Sequence, residues 1–214
     1  MKTLILYLFS LLTIAAYSED AKYMQAMEKN VGILDTASET STFQNANNAF
    51  ERIGMANQKE WLPQYYQSYC NLMIGIKLTD NNKKDEYFDR AQLFADKADS
   101  ISPNNSEIIL LQSFINSMKM SIDPMTRGQK LGMKSAMLNS KAMELDKENP
   151  RVYLLKGSGL MYTPPQYGGG KEKALPVLEE AVAKFKTFKP ASPIMPHWGE
   201  KRAIAVLEQC KKAE

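Results

Sequence analysis

The chain has 214 residues, of which 44% are hydrophobic and 24% charged, and its 27 Lys and Arg against 24 Asp and Glu give a formal net charge of +3. That charge is too small and too evenly mixed to favour a nucleic-acid partner, and no run of five like charges marks a basic arm. With one histidine and two cysteines, a histidine triad or a metal centre built on several histidines is hard to assemble.

The N-terminus reads as an export signal. Lys2 precedes an apolar run from Leu4 to Ala16, and Ala16-Tyr17-Ser18 places small residues at the two positions a signal peptidase reads. Residues 1–18 are therefore expected to be removed, leaving residues 19–214 as a single exported domain. An uncleaved anchor is the alternative, but the run falls short of the ~20 apolar residues a spanning helix needs. No other stretch of the sequence reaches that length, so no integral membrane segment is expected after cleavage.

Nine helices follow in chain order. Asp20 to Ala37 and Thr42 to Ala56 form a first pair, the second preceded by capping candidates at Ser38, Thr40 and Ser41. Trp61 to Leu78 pairs with Lys84 to Ser100, and Ser106 to Ser121 with Arg127 to Leu145. Pro150 to Tyr162 pairs with Lys171 to Phe188, Pro150 suiting a first helical turn where its missing N–H goes unnoticed. His197 to Lys212 closes the chain. Proline and glycine punctuation at Pro103, Pro124, Pro164/Pro165 and Pro190 to Pro196 marks the breaks.

Small residues recur across these helices at a fixed spacing. Ala91, Ala95, Ala98 and Pro103 set the pattern; Ala46, Phe50, Ile53 and Gln58 repeat it upstream, and Ser135, Asn139, Ala142 and Lys147, then Ala174, Leu178 and Ala181, repeat it downstream. Ser68, Ser113 and Gly157 each follow a set by ten positions, where two helices would approach closely. The pattern resembles the tetratricopeptide (TPR) helix-pair repeat and implies an all-α solenoid of about four antiparallel pairs with a C-terminal capping helix. Its first positions step by 45, 44 and 39 residues, longer than the 34 of a plain repeat. The extra length is expected as insertions between the two helices of a pair, beginning at Leu78, Ser121 and Thr163, which would lie along one edge as a binding rim. Within the first, Asn81 to Glu86 reads as a solvated loop. In the last, Gly168-Gly169-Gly170 enters a helix at Lys171, a structural turn or a cradle for an anion or peptide, although it lacks the spacing of a P-loop.

The segments EWLPQYYQSYC, SPNNSEI, DPMTRG and YTPPQYGGGKEKALP together resemble exported TPR proteins of Bacteroidetes-type bacteria. That resemblance implies a periplasmic helical-repeat protein. In TPR proteins the first helix of each pair lines the concave face, and the matching positions here are Tyr65, Tyr69 and Met73, then Leu110, Phe114 and Met118, then Leu154, Ser158 and Tyr162. Such an aromatic and methionine surface would bind an apolar peptide or protein segment, since the Lys, Asn and Arg of the peptide-carboxylate clamp are missing from it. Equally, the N-terminal helix, or the closing helix through Ile204, Leu207 and Cys210, would fill the groove and make the stripe core.

No polar constellation supports catalysis. His197 stands beside Pro196 and Trp198 at a helix start and reads as a capping or surface residue; Glu179 and Glu180 are adjacent on a helix and point apart. Asp80, Asn81 and Asn82 lack EF-hand spacing. Cys70 and Cys210 lie near opposite ends of the array, beyond the ~7 Å reach of a disulfide, and are expected to be buried free thiols. The expectation is thus a non-catalytic, cofactor-free and metal-free interaction scaffold whose partner is a protein or peptide. The alternative is a carrier of a small ligand or lipid in an apolar cavity.

Overall fold

The structure, a computed structural model, describes residues 20–212. The expected export signal and the boundary at residue 19 lie outside the described residues. Among the described residues there are nine α-helices and no strand: α1 (20–34), α2 (Thr40–Ala56), α3 (Leu62–Lys77), α4 (Asn81–Ile101), α5 (Ser106–Ile122), α6 (Pro124–Leu145), α7 (Pro150–Tyr162), α8 (Lys171–Thr187) and α9 (Glu200–Lys211). None of these helices is long and apolar enough to cross a membrane.

The helices pack in adjacent pairs, α3 on α4, α5 on α6 and α7 on α8, while α3, α5, α7 and α9 touch one another in succession as an inner layer. Small residues allow the close pairing. Ser68, fully buried, donates its hydroxyl to the Ala91 carbonyl of α4 at 2.7 Å, and Ser113 donates to the Ser135 carbonyl of α6 at 2.8 Å. At the equivalent place on α7, Gly157 lies so near α8 that a Cβ there would come within 2.7 Å of the Leu178 side chain. The three positions singled out by the repeat spacing are thus points of close approach between paired helices, each with any polar group bonded to the facing backbone.

Two of the expected insertions are instead helix. Asp80 caps α4 by accepting from the Asn82 and Lys83 amides, so Asn81 to Glu86 is the first turn and a half of a 21-residue helix rather than a solvated loop. Asp123 caps α6 through the Thr126 amide, with Pro124 at the first helical position of a 22-residue helix. The longer repeat step therefore lengthens the outer helices and builds no rim at those two places. Only residues 163–170 remain a true loop, a short 3₁₀ turn at Pro165–Tyr167 ending in Gly168 at φ +88° and Gly170 at φ +107°. The outward side of α6 leaves Met125, Met133 and Met137 exposed.

One ionic contact ties the inner layer together. Arg151, at the start of α7, has no exposed surface, and its Nε donates to Glu107 Oε2 of α5 at 3.1 Å while Nη2 reaches Oε1. Asn149, the cap of α7, donates to the same Oε1 at 2.7 Å. Burial pushes the Glu107 carboxyl above its ordinary range, against the pull of Arg151. Replacing Glu107 by Gln strands the buried guanidinium and is expected to cost about 3–5 kcal/mol, read from the urea midpoint. The volume-matched pair Glu107→Leu with Arg151→Met is expected to recover most of that loss.

Candidate functional site

The concave side of the inner layer is covered by the chain's own C-terminal return. After α8, Phe188 to Gly199 runs back across α3 and α5, Ile194 is buried, and Tyr66 Oη donates to the Ile194 carbonyl at 2.8 Å. Trp198 then lies over the stripe read from the repeat. Its ring stacks on Tyr69 at 5.3 Å and on Phe114 at 5.9 Å between centroids, with interplanar angles of 26° and 25°. Its Nε1 donates to Tyr65 Oη at 2.8 Å, and the Arg151 guanidinium sits 5.7 Å from its centroid on the way to Glu107. Gly199 turns the chain into α9 at φ +117°, where a Cβ would come within 2.8 Å of the Phe185 ring, so both conformation and space require glycine.

Beside Trp198 a cleft of about 350 Å³ stays open. Val31, Leu34 and Asp35 at the end of α1 form one wall, Tyr66, Tyr69 and Met73 of α3 with Phe114 of α5 the floor, and His197 to Arg202 the other wall. Residues 66, 69 and 73 share one side of α3 because they follow the helical period. Burial is the leading cause that pushes the Tyr65, Tyr66 and Tyr69 phenols up, so all three are neutral hydroxyls and the floor is an uncharged aromatic surface.

Charged side chains stand only at the two walls. His197 Nδ1 meets the Met195 carbonyl at 2.9 Å and Nε2 meets Asp35 Oδ1 at 2.8 Å, bridging the return segment to α1 across the mouth. Arg202, partly buried, places its guanidinium 4.7 Å from the Phe114 centroid. Its Nε is buried without a hydrogen-bond partner, and no carboxylate of the described residues pairs with it. Burial accordingly pulls the Arg202 pKa below the usual arginine value. Among the described residues no three His, Cys, Asp or Glu side chains cluster as metal ligands.

Of the residues expected to contact a partner, Tyr69, Met73 and Phe114 reach this cleft. Tyr65 is fully buried behind it and serves as the acceptor that seats Trp198. Leu110 is buried against Ile109, Ala142 and Val152, and Leu154 against Ala181, Phe185 and Ala203; neither offers surface. Met118 packs at the edge of the main core. Ser158 is buried, and Tyr162 is 64% exposed at the other end of the layer, donating to Gln209 of α9 at 3.1 Å. The apolar side of α9 does not fill the groove either: Leu207 and Cys210 bury against Ala174 and Leu178 of α8, and Ile204 is exposed. His197 is a bridge at the cleft mouth, three residues before α9 begins, rather than a cap or free surface group. Both cysteines are free and buried.

A search of solved structures matches the HusA haemophore from Porphyromonas gingivalis, 32% identical, with a TM-score of 0.80 over 88% of this chain and 92% of that one. The chain belongs to the HusA family. No sequence-family profile and no curated protein sequence matches it, so the TPR assignment reduces to an all-helical array of adjacent pairs.

In this HusA-family chain the wall that completes the cleft is also what holds the return segment down. Trp198→Ala is expected to cost about 3 kcal/mol through lost ring packing, measured by urea unfolding, and to speed amide exchange throughout α9. Tyr65→Phe removes one hydrogen bond and is expected to cost only about 1 kcal/mol.

Proposed function

We propose that this protein is an exported carrier of a planar tetrapyrrole such as haem, holding it in the cleft between α1, α3, α5 and the return segment. The observation that carries the reading is the aromatic floor and side wall of Tyr69, Phe114 and Trp198, set beside Met73, Val31 and Leu34 in a half-open cleft. Flat apolar rings stack on such surfaces, and a thioether adapts to their edges. The haemophore relative supports the same ligand class. Both ring nitrogens of His197 are engaged by Met195 and Asp35, so the reading rests on stacking against the aromatic floor, which holds an iron-free ring as well. The protein's work is carriage, and no reaction is assigned to it. The scaffold reading is less well supported, because the groove it requires is occupied by Ile194 and Trp198 of the chain itself.

Absorbance titration tests this. Haemin and iron-free protoporphyrin are each expected to bind saturably at one site. Tyr69→Leu and Phe114→Leu, which keep the apolar volume but remove the ring faces, are expected to weaken both ligands about tenfold or more. Absence of saturable binding, or variants that bind like the parent, would count against the reading.

A further inference from the structure

Among the described residues Arg202 has no carboxylate partner. Its guanidinium lies against the Phe114 ring inside the cleft, and its Nε is shielded from water with nothing to donate to. The two carboxylates that share the cleft do not answer it: Asp35 is engaged by His197, and Glu200 stands exposed at the rim. The contrast with Arg151 is instructive, since that buried guanidinium is met by both oxygens of Glu107. A partly desolvated, unpaired charge opposes folding, and a fold that retains one at a ligand cleft gains from it when the partner arrives with the ligand.

We propose that Arg202 is the carboxylate anchor of the cleft, forming a forked ion pair with an acidic side group of the bound ring while the ring's apolar body rests on Tyr69, Phe114 and Trp198. The proposal rests on the carrier reading and adds the selectivity: the cleft takes tetrapyrrole acids and discriminates against their neutral esters. A guanidinium suits this because its planar N–H fork matches the two oxygens of a carboxylate, and a low-dielectric site strengthens the pair.

The experiment is a fluorescence titration with protoporphyrin IX and its dimethyl ester, in the same dilute detergent, on the parent protein, Arg202→Gln and Arg202→Lys. The parent is expected to prefer the acid by about tenfold or more. Arg202→Gln is expected to lose that preference by weakening the acid alone, and Arg202→Lys to restore only part of it, because an ammonium lacks the fork. Thermal unfolding without ligand supplies a second readout: Arg202→Met, which removes the unpaired charge and keeps the stem volume, is expected to melt higher than the parent. An unchanged acid-to-ester ratio in Arg202→Gln, or equal loss of both ligands, overturns the anchor and leaves the carrier standing. Failure of the parent to bind either compound overturns both.

Discussion

Arg151 carries a full positive charge at a place with no exposed surface, and the inner layer is organised around satisfying it. Glu107 meets it from α5, Asn149 holds the same carboxylate from the cap of α7, and the rings of Phe188 and Trp198 lie 4.7 and 5.7 Å from its guanidinium carbon. The contact therefore fixes the register of α7 on α5 and gives the return segment a platform. Without that platform Trp198 would have no reason to cross the concave side. Without Trp198 the floor of Tyr69 and Phe114 would be a bare groove rather than a cleft. A buried ion pair is a poor source of net stability, but it penalises misplacement of either partner, which suits a place where three parts of the chain must meet.

The two guanidiniums, Arg151 buried and Arg202 partly so, divide the labour of the fold. Arg151 is paired internally and serves architecture; Arg202 is pressed against Phe114, with no carboxylate of the described residues beside it, and serves the ligand. A site that holds an unpaired charge and an aromatic surface half open to water is less stable than it would be with both covered. The rest of the chain offsets this with dense pairing of α3 with α4, α5 with α6 and α7 with α8, where alanine, serine and glycine bring backbones together.

Helix number, pairing and the close-approach positions Ser68, Ser113 and Gly157 were legible in the sequence because they depend on local periodicity and residue size. The fate of the insertions was not, since Asp80 and Asp123 each convert a polar stretch into a helical first turn, and a polar helix and a polar loop have similar compositions. Carrying the repeat phase forward leads to Tyr69, Met73 and Phe114, which line the cleft. Leu110, Leu154 and Tyr162 share that phase but lie where other helices bury them or where α9 ends the layer, a matter of tertiary position. Trp198, Arg202 and Asp35 were missed as site residues because they come from the return segment, α9 and the end of α1, none of which carries the repeat phase of α3 and α5. A large aromatic just after Pro193 and Pro196 was the available signal, as such a residue in a stiff extended link has to dock somewhere.

The cleft's location is the central claim, and methionine-methyl NMR with bound iron-free protoporphyrin tests it most directly, because a bound tetrapyrrole shifts nearby methyls strongly through its ring current. Met73 lines the cleft, while Met133 and Met137 are exposed on the outward side of α6. The account predicts a large shift at the Met73 methyl with Met133 and Met137 unmoved. Shifts at Met133 and Met137 with Met73 unchanged would contradict it and move the ligand to the opposite side of the array.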